Sequence, residues 1–283
     1  MSIRPRDPGS ISGEAAGVPF IAFAPDTDDG AAATIVVWHL HDPPRSETAM
    51  AAALPLRGID AWRVYLGLPL SGKRLPPGGL DAFFALGYED AVLKLYGPTV
   101  RQAVHEFPTA LTELRRRHGL GRGAFGFVGA SIGALVAASV VAAGEPAVAA
   151  LALVSPALRL ESVVAMNERR FAVTYSWTDE SRSVAAELDF ITRAPELAER
   201  KVPALLVVGA DDDIDGIIHP AEQLRDTLND HNVDTSLVRI PGMAHALTDE
   251  PGLEPAPQTA AAAAVDATVA GWLSRHLPNP RRT

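Results

Sequence analysis

The strongest chemical pattern in the sequence surrounds Ser131. Residues 126–135 read GFVGASIGAL, so a short apolar run leads into Gly-Ala-Ser-Ile-Gly and an alanine-rich helical stretch follows at once. A serine held in a tight strand-to-helix turn points its hydroxyl outward, and Gly129 and Gly133 leave room for the adjacent chain. The start of the following helix also favours developing negative charge. We therefore predict a nucleophile at Ser131, with a simple helix N-cap as the alternative interpretation.

A base must remove the hydroxyl proton before a serine can attack. Eight histidines compete for that role. His245 is favoured because it lies in IPGMAHAL, directly after the last predicted strand and before the closing helix. Loops at the carboxyl ends of parallel strands carry the chemistry of such sheets. Histidines in or beside amphipathic helices are interpreted as surface residues, namely His105, His118, His231 and His276.

An acid must orient the imidazole from another strand end. The stretch 204–215 reads ALLVVGADDDID, which places four carboxylates just beyond a buried strand. We predict that Asp212, three residues after Gly209, is this acid. Asp211 and Asp213 remain alternatives.

The same acidic stretch allows a second interpretation as a calcium-binding loop. The residues that fit its spacing are Asp211, Asp213, Asp215, Gly216 and Glu222. A strand rather than a helix precedes this stretch, however, and His-Pro at 219–220 is unusual in a calcium loop. We therefore predict no metal, and a solvated acidic turn is a third interpretation.

The overall composition limits the remaining function classes. The chain has 283 residues, a formal net charge of −9 and no cysteine. The negative charge argues against nucleic acid as a partner, and the lack of cysteine excludes disulfides, thiolate metal ligands and a cysteine nucleophile. Residues 1–17 lack the apolar segment of a signal peptide, and no apolar stretch is long enough to span a bilayer. We expect a cytoplasmic protein without a membrane partner; a homo-oligomer is compatible with this composition.

Apolar, β-rich runs alternate with helical stretches along the chain, which predicts a mostly parallel sheet with helices on both faces. The predicted strands are 20–23, 34–38, 61–66, 124–128, 149–154, 204–208 and 236–240. The predicted helices are 99–118, 132–143, 221–229 and 259–276. From 155 to 202 the sequence becomes more polar and carries aromatic residues, which predicts a small helical cap or lid. We expect one α/β domain over 1–283 that includes this insertion.

Taken together, these segments resemble the α/β-hydrolase family. Three of them are similar to the segments that carry the family's catalytic residues: the GASIG turn, the acid loop after the strand 204–208 and the GMAH sequence before the last helix. The chain order Ser131, Asp212, His245 matches its triad. The resemblance runs from about residue 20 to the final helix, and it implies the α/β-hydrolase fold and a reaction without a cofactor. The family hosts many reactions, so the resemblance does not choose among them, although a serine nucleophile argues against dehalogenases.

The resemblance also implies an oxyanion hole made of two N–H groups. One is expected from Ile132, the residue after the nucleophile. The other is expected from the turn HLHDPPR, in which Leu40 replaces the usual glycine. Matching His39 to the family's His-Gly pair makes His41 the donor, with Leu40 in reserve. Matching His41 instead would place Pro43, which has no N–H, at the donor position. Two histidines that only pack or cap this turn are the alternative.

Apolar and aromatic side chains near the predicted strand ends and cap suggest a pocket for an acyl group or a ring. The candidates are Trp38, Tyr88, Phe171, Tyr175 and Trp177, and a place in the core is an equal alternative for them.

The predicted function is that of a serine hydrolase that cleaves a carboxylic ester or thioester of a small, largely apolar substrate through an acyl-enzyme intermediate. A peptidase or an acyltransferase that uses the same triad is the first alternative. A non-catalytic, hydrolase-like binding protein is the second, and the presence of all three triad residues argues against it.

Overall fold

The computed structural model describes residues 9–26, 30–144 and 146–278, and these form an eight-stranded sheet. The spatial order of the strands is β1-β2-β4-β3-β5-β6-β7-β8. β1 and β4 each pair antiparallel with β2, and every other neighbouring pair is parallel. The strands are β1 Ser10–Ala15, β2 Val18–Phe23, β3 Thr34–Trp38, β4 Trp62–Leu66, β5 Phe125–Ala130, β6 Val148–Val154, β7 Ala204–Gly209 and β8 Thr235–Ile240.

The central strands are apolar at nearly every position because each lies between two cores. In β3, Val36 and Trp38 point into one core, whereas Ile35 and Val37 point into the other. Successive side chains of a strand alternate between its faces, so burial on both sides requires a continuous apolar run. This observation confirms the predicted mostly parallel sheet.

Helices cover both faces of the sheet, as predicted. The helices are α1 Glu47–Ala53, α2 Gly79–Asp90, α3 Gly97–His118, α4 Ile132–Ala143, α5 Leu160–Phe171, α6 Asp179–Glu187, α7 Ala194–Glu199, α8 His219–Asp230 and α9 Ala260–His276. α1 and α9 share the core that contains Met50 and Val269. α3, α4 and α8 pack on the opposite face, where Phe107, Leu135 and Leu224 are buried.

Some elements have no clear signal in the sequence. β1 carries the polar edge sequence SISGEA, and α2 buries Phe83 while Phe84 and Tyr88 remain exposed, so neither shows a continuous apolar face. The predicted cap region, 155–202, contains α5, α6 and α7.

No helix within the described ranges is both long and apolar enough to cross a lipid bilayer. Residues 1–8, which form part of the segment predicted to lack a signal peptide, lie outside the described residues.

Candidate active site

Ser131 lies in a strained turn between β5 and α4. Its backbone angles are φ 48° and ψ −116°, a region that residues other than glycine rarely adopt. A Cβ atom on Gly129 would lie 2.3 Å from the carbonyl oxygen of Gly133, and one on Gly133 would lie 2.6 Å from that of His39. Only glycine allows these approaches, because no side-chain atom fits at such distances. The Ser131 N–H donates to the Val154 carbonyl over 2.9 Å, which fixes the turn at the carboxyl edge of the sheet.

The loop of His245 is held against two neighbouring loops. The Asp211 N–H donates to the Met243 carbonyl over 2.9 Å, and the Leu247 N–H donates to the Pro43 carbonyl over the same distance. A Cβ atom on Gly209 would lie 2.2 Å from the Met243 carbonyl oxygen, so the end of β7 and the histidine loop touch through their backbones. Backbone contacts therefore determine where the imidazole stands.

Ser131, His245 and Asp212 come together as a hydrogen-bonded series. His245 Nε2 lies 2.8 Å from Ser131 Oγ, and His245 Nδ1 lies 3.0 Å from Asp212 Oδ2 and 3.2 Å from Oδ1. The side chains of His245 and Asp212 are only 11% and 2% exposed. A serine, a histidine and a buried carboxylate in this order are able to perform nucleophilic acyl transfer.

The other carboxylates of the acidic loop have different surroundings. Asp211 is exposed, and Asp213 accepts hydrogen bonds from the Gly216 N–H and the Arg169 guanidinium. Glu222, which would close a calcium loop, accepts a hydrogen bond from Arg239 instead. Within the described part of the chain, no three acidic, histidine or cysteine side chains cluster in a way that could hold a metal ion.

The pKa of His245 is raised above its ordinary value. Burial alone lowers it, but the hydrogen bond that His245 donates to Asp212 and the negative charges of Asp42 and Asp212 outweigh that effect, while Arg170 opposes them. These interactions favour the protonated ring. A histidine that must carry a proton from the nucleophile to a leaving group gains from such stabilisation.

Two buried side chains, His39 and Arg45, hold the predicted oxyanion turn; the sequence interpretation offered packing or capping of this turn as the alternative for His39 and gave Arg45 no role. His39 is fully buried; its Nδ1–H donates to the Leu40 carbonyl over 2.7 Å, and its Nε2 accepts from the Leu68 N–H over 3.0 Å. Burial, only partly offset by the hydrogen bond to Leu40, lowers its pKa to about 4. The buried Arg45 donates through Nε to the His41 carbonyl and through Nη1 to the Pro251 carbonyl, each over 2.7 Å. The Leu68 and Pro251 partners are distant in sequence, so no local pattern marks these contacts.

The three predicted oxyanion residues have different surroundings. Ile132 is the first residue of α4, where N–H groups have no carbonyl partner within the helix. His41 is buried, with its ring centroid 5.1 Å from that of Phe83 and 6.0 Å from that of Tyr96. Its pKa falls to about 3, first through burial and then through the charges of His39 and Arg45. The Leu40 side chain lies in the core.

A cavity of about 400 Å³ begins at His41 and Asp42 and extends between two chain connections. One connection joins β4 to α3 and contains α2; the other joins β6 to β7 and contains α5. The two are linked by hydrogen bonds from Asn167 to the Tyr96 hydroxyl and from the Tyr175 hydroxyl to Asp90. The aromatic residues that line the cavity are Phe83, Phe84, Tyr88, Tyr96, Phe171 and Tyr175.

The five predicted pocket residues divide into two groups. Tyr88, Phe171 and Tyr175 line the cavity. The prediction of Trp38 as a pocket residue is wrong, because its position in β3 points it into the core, where it packs against Phe107 and Phe127. Trp177 does not line the cavity either; it packs edge-on against Tyr175 and is partly buried against the core.

Among known proteins, the likeness of this chain is one of structure. No protein family model matches it, and no curated protein does. The structure of TT1662 from Thermus thermophilus aligns with a TM-score of 0.61 and 20% identity over 96% of this chain and 99% of that one. Carboxyl esterase 2 from the fungus Tuber melanosporum aligns with a TM-score of 0.56 and 16% identity over 98% and 90%.

A third solved structure, the acylaminoacyl peptidase of Pyrococcus horikoshii, aligns with a TM-score of 0.65 and 13% identity. The alignment covers 97% of this chain but only 42% of the peptidase chain. At these identities the likeness establishes a common fold, and function has to be argued from the site.

Proposed function

We propose that this chain, which has the α/β-hydrolase fold, is a serine hydrolase that cleaves a carboxylic ester or thioester of a small, largely apolar substrate. The fold prediction itself is confirmed by the sheet order and by the solved structures that share it. The single observation that carries the proposed function is the series of contacts from Ser131 through His245 to Asp212.

In the proposed reaction, Ser131 Oγ attacks the carbonyl carbon while His245 Nε2 takes its proton. Asp212 holds the Nδ1–H of His245 and stabilises the ring when it becomes charged. The N–H groups of Ile132 and His41 bind the oxyanion of the tetrahedral intermediate. His245 then protonates the leaving group, an acyl-enzyme forms at Ser131, and a water activated by the same imidazole hydrolyses it.

The proposed substrate class follows from the cavity. Aromatic side chains form much of its wall, and a volume of about 400 Å³ suits a small ligand. An apolar acyl chain or ring would exchange water for these walls on binding. That one structural neighbour is named a carboxyl esterase agrees with an ester substrate, while another is named a peptidase.

A fluorophosphonate probe tests the nucleophile directly. We expect a single adduct on Ser131, together with loss of both labelling and esterase activity in Ser131→Ala. The control is Ser139→Ala in the same helix, which should label and turn over esters like the wild type. An adduct on another residue, or an unchanged rate in Ser131→Ala, would overturn the proposal.

Matched ester, thioester and amide substrates then define the reaction. We expect turnover of esters and thioesters with apolar acyl groups and little turnover of the amides. Preferred cleavage of the amide would identify a peptidase, and product that appears only with an added alcohol or amine would identify an acyltransferase. Tight binding without turnover of any substrate would favour the non-catalytic binding protein.

A further inference from the structure

Asp42 places a second carboxylate beside the catalytic imidazole. It belongs to the turn after β3, and its Oδ2 lies 3.8 Å from His245 Nε2. Asp212 contacts the opposite nitrogen of the ring, Nδ1. Because Nε2 is the atom that faces Ser131, Asp42 is on the side where the substrate must bind. Asp42 also lines the aromatic cavity, so it stands where that cavity meets the reacting atoms.

The two oxygens of Asp42 have different neighbours. Oδ1 faces the Arg170 guanidinium at 3.7 Å, which is longer than a hydrogen bond. The Arg170 side chain is 56% exposed and also lies over the Phe171 ring. Oδ2 faces the imidazole, which must be neutral to act as a base. In the described part of the chain, no other cationic side chain forms an ion pair with Asp42, so with the imidazole neutral Oδ2 has no ion-pair partner of its own.

A negative charge in this position affects substrates unequally. It stabilises the imidazolium that forms when His245 takes the proton, but it disfavours the negative charge that develops on the oxyanion nearby. A neutral substrate is exposed to both effects. A substrate with its own positive charge near Oδ2 would cancel the repulsion and form a charge-assisted hydrogen bond.

We propose that Asp42 determines specificity by binding a protonated amine on the carbon next to the scissile carbonyl, so that the preferred substrates are α-amino acyl esters or thioesters. The position of the amine follows from the chain, because Asp42 directly follows His41, the proposed oxyanion donor. The aromatic cavity then receives the apolar side chain of the same acyl group. This inference rests on the proposed function and names the substrate class of that site.

Three ethyl esters with one carbon skeleton provide the test: those of phenylalanine, 3-phenylpropionic acid and 3-phenyllactic acid. They carry an ammonium, a hydrogen and a hydroxyl group at the same carbon. We expect wild-type kcat/KM at pH 7 to favour the amino ester over the unsubstituted ester by about tenfold or more. Preference for the unsubstituted or the hydroxy ester would overturn the inference.

Asp42→Asn keeps the size of the side chain and removes its charge. We expect the preference for the amino ester to fall by about tenfold or more, while the unsubstituted ester is still turned over. The matched control is Asp211→Asn, which removes the same charge from an exposed side chain at the same sheet edge and should keep the preference. A preference that survives in Asp42→Asn would contradict the role of this carboxylate.

The pH profile supplies a readout that a purely structural role would not change. The charged groups around His245 are Asp212, Asp42 and Arg170, and the Asp42 charge helps to raise the pKa of the imidazole. In Asp42→Asn, the acidic limb of kcat/KM for the unsubstituted ester should therefore move to lower pH. An unmoved limb would mean that the carboxylate does not act on the imidazole as proposed.

A second variant keeps the inference testable if Asp42→Asn does not fold. Arg170→Gln removes the cation that competes for Asp42, and it should increase the preference for the amino ester; a decrease would overturn the inference. Fluorophosphonate labelling distinguishes a failure of this inference from a failure of the proposed function. Labelled Ser131 and turnover without an amino preference would sink only the inference, whereas no labelling and no turnover would sink the proposed function with it.

Discussion

The carboxyl edge of the sheet, where the proposed triad lies, and the wall of the aromatic cavity are built by different means. At the edge, backbone meets backbone: Gly209 approaches the Met243 carbonyl, and Gly129 approaches the Gly133 carbonyl, at distances that exclude any Cβ atom. The wall consists of side chains on two long connections, and some of them are largely exposed, with Tyr88 at 67% and Phe171 at 49%.

This difference matches the two proposed roles: the sheet edge carries out the reaction, and the cavity wall selects the substrate. The edge holds Ser131, His245 and Asp212 in a hydrogen-bonded series, and an error of about 1 Å there costs orders of magnitude in rate. The wall only has to enclose an apolar group, so its residues can change at a modest cost in affinity. We therefore expect substitutions at the edge to act on turnover and on folding, and those in the wall to act on substrate binding.

The largest expected effect is that of Asp212→Asn at the edge. We expect kcat for an apolar ester to fall by about ten-thousand-fold, because an amide holds the imidazole in the wrong tautomer and does not stabilise its charged form. The thermal unfolding of the variant should stay cooperative, which calorimetry will show. A loss of less than about tenfold would mean that His245 is oriented by another group.

Phe171→Ala is the matched substitution in the wall. It removes a half-exposed ring, so we expect KM for the same ester to rise about tenfold while kcat changes little. If kcat fell as strongly as in Asp212→Asn, the division between edge and wall would be wrong.

A pair of glycines sharpens the comparison through stability. A Cβ atom at position 209 would lie 2.2 Å from a backbone carbonyl, so Gly209→Ala should lower the free energy of unfolding by about 3 kcal/mol or more. Gly87→Ala is the control in α2: its Cβ would lie 3.4 Å from Leu95 Cδ2, and alanine favours the helix by about 0.5–1 kcal/mol. We expect little change there. Equal losses in urea denaturation would show that the edge is no tighter than the wall.

The last expected effect concerns pH and His39. Burial lowers its pKa from 6.5 to about 4 in the folded protein. Between these values the unfolded chain binds a proton that the folded chain does not, so the free energy of unfolding should fall as the pH falls from 6.5 towards 4. Above 6.5 this contribution is complete. The loss from this one group amounts to roughly 3 kcal/mol.

Urea denaturation from pH 7.5 to 4 checks this expectation. His39→Gln should be less stable at neutral pH and should show a shallower dependence on pH, whereas His105→Gln, on an exposed helix face, should keep the wild-type dependence. An unchanged slope in His39→Gln would assign the acid sensitivity to other groups. Such a result would also weaken the view that a neutral, buried His39 holds the predicted oxyanion turn.

The sequence by itself determined the parts of this protein that depend on short-range order. An apolar run between cores predicts a buried strand, and GASIG between a strand and a helix predicts a strained turn with Ser131 at its tip, because these patterns limit the local backbone. The acid and the histidine were found because they follow strands whose carboxyl ends must share one edge. In the structure, His245 lies 2.8 Å from Ser131 Oγ, and Asp212 lies 3.0–3.2 Å from His245 on its other side.

Tertiary structure alone decided which side chains face one another across long stretches of chain. Trp38 is a large aromatic residue of the kind that lines apolar pockets, yet its position in the pleated strand β3 points its side chain into the core. Asp42 and Arg170 are 128 residues apart and meet only because two connections close over the same strand ends. Local patterns carry no information about such contacts, because these depend on how distant elements pack, and the proposed role of Asp42 in selectivity therefore could not be read from the sequence.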